Sequence, residues 1–216
     1  MRNSFDARRN LNFSVMPKSN MPRLVSIVGG DGEREAVPIL IRRIARDIDP
    51  GLVPDVRPVL RVPESRLIKP DELERTVDLA ARKLEGPGGI FILLDCDDGC
   101  PAVDGPALLK RAAGVRPDIP VAVVLAKREF EAWFLATAES LRGRRSLPAN
   151  LTAPQDPESI RGAKEWLTDK MPDGQSYSET TDQAALTDLF DMNVARRADS
   201  FDKCYREVSQ LLTKLR

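Results

Sequence analysis

The sequence contains no histidine among its 216 residues. Ser-His-Asp and Cys-His triads, histidine general bases and histidine metal ligands are therefore excluded. A bound metal ion would have to be held by carboxylates, carbonyls and water, which are the ligands of Mg²⁺, Mn²⁺ and Ca²⁺. The missing histidine thus restricts metal chemistry to oxygen-bound cations.

Cysteine is also scarce, with three residues at positions 96, 100 and 204. An odd count without metal-type pairing predicts free thiols and a reducing compartment, the cytoplasm. A chelating or redox pair of Cys96 and Cys100 is the less favoured alternative, because no second pair completes a zinc site.

No apolar run approaches the ~20 residues of a membrane span, and nothing at the N-terminus resembles a signal peptide. We expect no membrane partner.

Net charge is absent too, since 33 basic residues balance 33 acidic ones. The protein is therefore not a polycation that binds nucleic acid through bulk charge. A local basic face remains open. Five arginines either flank a nucleic-acid path or lie in solvated loops, and both interpretations are open. They are Arg142, Arg144, Arg145, Arg196 and Arg197.

The most informative segment present is an apolar run at 90–94 that ends in Asp95, Asp97 and Asp98. A continuous apolar run of this length, bounded by turn residues, predicts a strand buried on both faces of a parallel sheet. Open α/β sheets bind ligands at the carboxyl ends of such strands. The three aspartates therefore mark a candidate site.

The rest of the chain alternates strands and helices, which predicts right-handed βαβ units and an α/β fold with a mostly parallel sheet flanked by helices. We expect strands at 24–28, 56–62, 90–95 and 121–125, and Pro58 places the second at an edge or bulge. We expect helices from about residue 35, at 70–83, 104–114, 128–141, 158–170, 182–190 and 199–215. The predicted organisation is a loose leader at 1–22, an α/β core at 23–141 and a helical C-terminal extension packed on it at 142–216.

Asp95, Asp97 and Asp98 are the predicted metal ligands. Carboxylates two positions apart at a strand end can turn toward one hydrated Mg²⁺ or Mn²⁺, which binds one or two carboxylates together with water and substrate phosphates. The alternative is a solvated acidic turn or a helix N-cap.

The segment from Gly29 to Glu33 follows the first strand. It lacks the Lys-Ser/Thr of a P-loop and the third glycine of a dinucleotide fingerprint, so a phosphate-binding loop is disfavoured. Its acids, Asp31 and Glu33, fit better as partners that face the aspartates across the sheet.

Two further candidates follow the fourth strand. Lys127 can stabilise a phosphate or transition-state charge, and a plain surface lysine is an equal alternative. Glu131 lies between Phe130 and Phe134, which predicts partial burial. It completes the acidic cluster or, the favoured alternative, pairs with an arginine. Trp133 and Trp166 are expected in the core rather than as base-stacking surfaces.

Four segments resemble a bacterial domain-of-unknown-function family with a Toprim-like, Rossmann-like fold. They are the strand-Gly-Gly-Asp-Gly-Glu opening within 24–44, Leu-Asp-Cys-Asp-Asp at 94–98, the Glu-Ala-Trp helix at 126–136 and Ser-Phe-Asp-Lys at 200–203. They occur in the family's order and span about residues 23–213.

The resemblance implies a Mg²⁺-dependent phosphodiester-cleaving core, related to overcoming-lysogenization-defect nucleases, and a DNA or RNA substrate. Asp95 and Asp97 match the family's metal pair, and Glu33 matches the second acid of its first motif. The resemblance also implies a defence-type system with a separate ATPase partner. Gly29 stands where the family has its leading glutamate, so a catalytically degenerate binding or regulatory module is the alternative hypothesis.

Overall fold

A computed structural model describes residues 21–216. The predicted leader at 1–22 therefore falls almost wholly outside the described residues. Within the described part, the chain forms an α/β structure whose strands are β1 (Arg23–Val28), β2 (Asp55–Arg61), β3 (Gly89–Cys96) and β4 (Val121–Lys127).

The four strands make one parallel sheet in the order β2-β1-β3-β4. This confirms the predicted parallel α/β fold, which is Rossmann-like. β2 lies at one edge, and its pairing with β1 shifts register between Leu24 and Ser26, opposite the segment that contains Pro58. Proline has no N–H for a central ladder, so the edge position suits this strand.

Helices follow the strands as α1 (Glu33–Ile48), α2 (Glu64–Leu67), α3 (Glu72–Lys83), α4 (Pro101–Val115), α5 (Ala132–Ala136), α6 (Ala163–Lys170), α7 (Ala184–Leu189), α8 (Met192–Ala195) and α9 (Asp199–Lys214). Short 3-10 turns cover Ala138–Leu141 and Pro157–Ser159, and a π-helical turn covers Glu179–Gln183. None of the helices in residues 21–216 is both long enough and apolar enough to cross a membrane.

Two apolar cores lie on the two faces of the sheet. One face packs against α3 and α4 through residues such as Val25, Ile92 and Leu125. The other face, which includes Leu93, packs against α1 and α9. Residues after 141 and residues of the strands share this second core, so the C-terminal helices and α1 together cover this face of the sheet.

A chain of aromatic rings ties the C-terminal helices to α5. Trp133 stacks edge-on against Phe201 at 5.2 Å between ring centroids, and Phe201 lies 5.3 Å from Phe190. The Trp133 indole N–H also donates to Ser200 Oγ at 2.8 Å. Trp133 is fully buried, as predicted, and Trp166 packs half-buried at the edge of the same core.

Some helix boundaries differ from the sequence prediction. α1 begins at Glu33 rather than near residue 35, because the Gly32 carbonyl already accepts the N–H groups of Glu35 and Ala36. The predicted helix at 128–141 is shorter, beginning at Ala132. Arg128 cannot join it, since its backbone pairs with Cys96 and its φ is +69°. Tertiary pairing thus overrides the helical periodicity at this point.

Candidate functional site

The order of the strands creates a topological switch point between β1 and β3. From β1 the chain crosses to β2 on one side, and it later returns to β3 on the other side of β1. The connections after β1 and β3 therefore leave the sheet in opposite directions and open a crevice between them, where α/β proteins bind ligands. The loop from Gly29 to Gly32 and the acidic end of β3 lie at this crevice.

Glu33 opens α1 with its side chain turned back over the glycine loop. It is only 6% exposed. A Cβ on Gly30 would lie 2.3 Å from Glu33 Oε2, and one on Gly32 would lie 2.2 Å from Gln183 Oε1. The two glycines are thus explained by the close approach of an acid and an amide rather than by a bound phosphate. Burial raises the pKa of Glu33, and the negative charge of Glu179 adds to this effect.

Asp95 is the member of the site that solvent reaches, since it is half-buried at the end of β3. Its Oδ1 accepts the backbone N–H of Phe130 at 2.9 Å, which ties the carboxyl group to the segment after β4. Desolvation raises its pKa well above the ordinary range, and the nearby carboxylates of Glu33 and Glu131 raise it further. The negative charges of the two glutamates therefore make ionisation of Asp95 less favourable.

Glu131 is completely buried in front of α5. Its Oε1 accepts the Tyr177 hydroxyl at 2.8 Å and the Gln183 side-chain amide at 3.2 Å. Its Oε2 is buried without a hydrogen-bond partner. Desolvation raises the pKa of Glu131 to about 7. The sequence predicted burial correctly, but the partners are a tyrosine and a glutamine rather than an arginine.

Lys164 of α6 supplies the positive charge of this region. Its Nζ donates to Glu179 Oε2 at 2.7 Å, and the side chain is half-buried. Burial opposes the charged form, but the carboxylates of Glu131, Glu179 and Asp95 outweigh it and raise the pKa of Lys164. The ammonium group is therefore held charged beside the acidic residues. We call Glu33, Asp95, Glu131 and Lys164 the inner cluster.

The donor set of the inner cluster fits an oxygen-preferring cation. Two buried oxygens, Glu131 Oε2 and Gln183 Oε1, lack partners, and carboxylate and amide oxygens are the donors that Mg²⁺ and Mn²⁺ accept. Within residues 21–216, however, no three acidic or cysteine side chains already converge as a metal cage. Binding would require the carboxylates to move closer together. Mg²⁺ or Mn²⁺ as a cofactor stays a prediction.

Asp97 lies apart from the inner cluster and faces Glu64 of α2. Glu64 is half-buried, and desolvation together with the charge of Asp97 raises its pKa to about 7. Glu64 Cβ lies 3.9 Å from the position that a Cβ on Gly29 would occupy. Glu64, which follows β2, therefore lies beside Gly29, the position where the resembled family carries its leading glutamate.

Asp98 is bound by two arginines. Its Oδ1 lies 2.5 Å from Arg161 Nη2 and 3.6 Å from Arg128 Nη1. The three aspartates of the predicted metal site thus go to three environments: the inner cluster, Glu64 and the arginine pair. Metal ligation by Asp97 and Asp98 stays a prediction.

Asp31 and Lys127 take separate positions. Asp31 is exposed and pairs with Arg61 at the end of β2 at 3.6 Å. Lys127 lines a cavity of about 530 Å³ at the side of β4, together with Glu158 and Ser200. Glu158 caps the start of α9 by accepting the N–H of Ser200 at 3.0 Å. No contact between Lys127 and the inner cluster supports its predicted catalytic role, which stays a prediction.

The basic residues considered for a nucleic-acid path are mostly engaged within the chain. Arg142 donates to the Leu151 carbonyl and Arg197 to the Pro154 carbonyl. Arg145 pairs with Asp182 and Arg196 with Asp202. All three cysteines are free thiols; Cys96 and Cys204 are buried and Cys100 is exposed.

Several residues of the region escaped the sequence analysis, namely Glu64, Lys164, Tyr177, Glu179 and Gln183. Each comes from a segment whose local pattern is ordinary: the short helix α2 for Glu64, α6 for Lys164, and the polar stretch around the π-helical turn for the other three. No spacing rule links them to Asp95. The one available signal was the concentration of polar residues beside one of only two tyrosines.

The fold and the site together define a class: a Rossmann-like α/β protein with buried carboxylates at the topological switch point of its parallel sheet. Comparisons with protein-family models, curated proteins and solved structures give no match to this chain. The function therefore has to be argued from the site itself.

Proposed function

We propose that this protein is a divalent-cation-dependent phosphodiester hydrolase of the nuclease type, acting on DNA or RNA with Mg²⁺ or Mn²⁺. The observation that carries the proposal is the position of Glu33, Asp95 and Glu131 at the switch point of the sheet, where the charges of Glu33 and Glu131 add to the effect of burial on the pKa of Asp95. The family resemblance of the sequence points to the same activity, and the free thiols fit a cytoplasmic location.

A cluster of buried acids is a cost to the fold. Each raised carboxyl pKa means that the folded state holds the ionised group less well than the unfolded chain does. Such costs are characteristic of functional sites, where a later-bound cation or substrate offsets them. The two apolar cores are made of other residues, so core packing does not account for the cluster.

The residues that would hold the cation are Asp95, which solvent reaches, and the buried acids Glu33 and Glu131. The Lys164–Glu179 pair is already neutral, which leaves these three carboxylates for a cation. When bound, a divalent cation activates water and stabilises charge on a phosphoryl group. Glu64 and Asp97 lie at the mouth of the same crevice and would extend the negative surface.

A second candidate function is a non-catalytic binding or regulatory module of the same fold. The observation that favours it is Gly29 at the position of the family's leading glutamate. A Cβ at this position would make only ordinary contacts, 3.8 Å from Leu94 and 3.9 Å from Glu64. A glutamate can therefore be restored at position 29 without a clash at its first carbon.

The test combines metal binding and cleavage. Calorimetry with Mg²⁺ and Mn²⁺, and incubation with plasmid and single-stranded DNA or RNA, are carried out on the wild type, Asp95→Asn and Asp173→Asn. Asp173 is an exposed aspartate outside the site and serves as the matched control. We expect metal uptake and cutting by the wild type and the control, and loss of both in Asp95→Asn.

Equal cutting by Asp95→Asn and the control would contradict the hydrolase proposal. Metal uptake without cutting in the wild type, and new cutting in Gly29→Glu, would establish the binding module instead. The ATPase partner implied by the resemblance is a separate proposal. Co-purification of the full chain with an ATPase from its native cell is its test.

A further inference from the structure

Arg128 and Arg161 address a single oxygen atom, Oδ1 of Asp98. The two arginines come from different parts of the chain, one directly after β4 and one before α6. With Asp97, Glu129 and Gly162 they line a cavity of about 320 Å³ beside the acidic end of β3. Two guanidinium groups that converge on one anionic group form the usual arrangement for binding carboxylate or phosphate.

The main chain fixes the position of Arg128. Its N–H donates to the Cys96 carbonyl at 3.1 Å, and its carbonyl accepts the Cys96 N–H at 3.2 Å. This bridge holds a non-glycine residue at φ +69°, a conformation that costs on the order of 1 kcal/mol or more and persists where the surroundings enforce it. The arginine is therefore pre-positioned at the strand end by its backbone.

The guanidinium group of Arg128 is incompletely used. Its Nη1 donates to the Asp97 carbonyl, but its Nε is buried without an acceptor; the nearby Glu129 Oε2 is likewise buried without a donor. A buried donor without a partner is costly. The unused Nε shows that the internal contacts do not saturate this arginine.

Asp98 is a replaceable partner for the arginines. Its side chain is 75% exposed, and that of Arg161 is 66% exposed. Exposed ion pairs contribute roughly 0–1 kcal/mol, so an incoming anion displaces the carboxylate at little cost. Phosphate presents the same oxygen pattern to an arginine fork and carries more charge.

We infer that Arg128 and Arg161 form a subsite for a phosphate group of a nucleic-acid strand, and that Asp98 occupies this subsite when no strand is bound. The inference rests on the proposed function, since it assigns the substrate contact beside the inner cluster. Asp98 then acts as a competitor of the substrate rather than as the predicted metal ligand.

The test measures the anisotropy of a fluorescent single-stranded oligonucleotide, DNA in one arm and RNA in the other, at low salt with EDTA so that no cleavage occurs. Asp98→Asn removes the competitor, and we expect binding to become tighter by up to about fivefold. Asp97→Asn is the matched control. It makes the same change in charge at the neighbouring residue, whose carboxylate no arginine in the described part of the chain binds. We expect it to tighten binding far less.

The arginine arm uses Arg161→Gln, which changes an exposed side chain and leaves the core intact. We expect binding roughly tenfold weaker, and no gain when Asp98→Asn is added to it. Arg75→Gln is the control, since Arg75 is 73% exposed on α3. Inorganic phosphate as a competitor separates recognition of the phosphate group from recognition of the strand.

Equal effects of Asp98→Asn and Asp97→Asn, together with equal effects of Arg161→Gln and Arg75→Gln, would overturn the inference and leave bulk charge as the explanation. The cleavage assay keeps the two proposals apart. If Asp98→Asn and Arg161→Gln behave as expected while no metal-dependent cutting occurs, the subsite stands and the hydrolase proposal fails. If cutting occurs and the four variants do not differ, the reverse holds.

Discussion

Replacing Glu131 by glutamine is expected to make the protein more stable at alkaline pH. Glu131 is completely buried, and burial raises its pKa from the ordinary 4.5 to about 7. Since each tenfold change in proton affinity corresponds to 1.36 kcal/mol, holding this carboxylate ionised costs the folded state roughly 3 kcal/mol at pH 8.

The sign of the pH dependence follows from proton uptake. Between about pH 4.5 and 7 the folded protein binds a proton at Glu131 that the unfolded chain has already lost, so the free energy of unfolding falls as the pH rises through this window. Below it both states are protonated and the cost is absent. Above pH 7 both are ionised and the full cost remains.

Glutamine keeps the shape and the Oε1 acceptor that Tyr177 and Gln183 use. Its amide NH₂ group would stand where Oε2 has no partner, and an unsatisfied buried donor costs about 1 kcal/mol. We therefore expect Glu131→Gln to be about 2 kcal/mol more stable than the wild type at pH 8, and within about 1 kcal/mol of it at pH 5.

Urea denaturation followed by tryptophan fluorescence at pH 5, 6, 7 and 8 measures the effect. Acids that are not coupled to Glu131 titrate alike in both proteins, so the difference between the two curves reports Glu131 together with Asp95, whose pKa the charge of Glu131 raises. Glu85→Gln is the control, because its side chain is 77% exposed, and it should parallel the wild type. If the Glu131→Gln curve is parallel as well, Glu131 is not the titrating group and the assigned electrostatics are refuted.

Three further substitutions probe the surroundings of the site. Gly32→Ala would place a Cβ 2.2 Å from Gln183 Oε1, and we expect thermal and urea unfolding to show a loss of about 1–3 kcal/mol. Lys164→Met removes the cation that compensates the acids. We expect a loss of roughly 1–2 kcal/mol at pH 8, because the Lys164–Glu179 pair is only partly shielded from solvent, and a smaller loss at pH 5, as the carboxyls become protonated. Ser200→Ala removes the acceptor of the Trp133 indole, at an expected cost of about 1–2 kcal/mol and with altered tryptophan fluorescence.

Controls for these substitutions lie in the same chain. Gly105→Ala, in α4, meets nothing within 4 Å and should stabilise the protein by about 0.5–1 kcal/mol; similar results for the two alanine variants would contradict the packing argument. A pH-independent loss in Lys164→Met would show that packing, rather than charge, is what Lys164 contributes. Unchanged stability in Ser200→Ala would mean that water replaces the hydroxyl.

The fold could be predicted from the sequence to the extent that its signals are local. The apolar run at 90–94 and the Pro58 edge strand depend on periodicity and on the missing proline N–H, and both predictions are confirmed. The helix expected at 128–141 failed at its start, because Arg128 pairs its backbone with Cys96 across two strand ends. Periodicity carries no information about such a long-range bridge.

The site could be predicted only in part. Position at a strand end identified Asp95, and its place after the first strand identified Glu33. The ion pair of Asp98 is made with Arg161, which lies sixty-three positions later in the sequence. Lys164 reaches the acids from a helix with an ordinary pattern. Side chains that meet only after folding leave no spacing in the sequence.

The inner cluster is completed only after the residues of the whole sheet have been synthesised. Glu33 and Asp95 leave the ribosome early, whereas Lys164 and the segment at 177–183 follow only after the whole sheet, and α9 closes the second face at the end. A nascent chain therefore carries its acids without the lysine and tyrosine that position and balance them. Until residues 164–183 have been made, the growing polypeptide therefore holds only separate parts of the inner cluster and its hydrogen-bond partners.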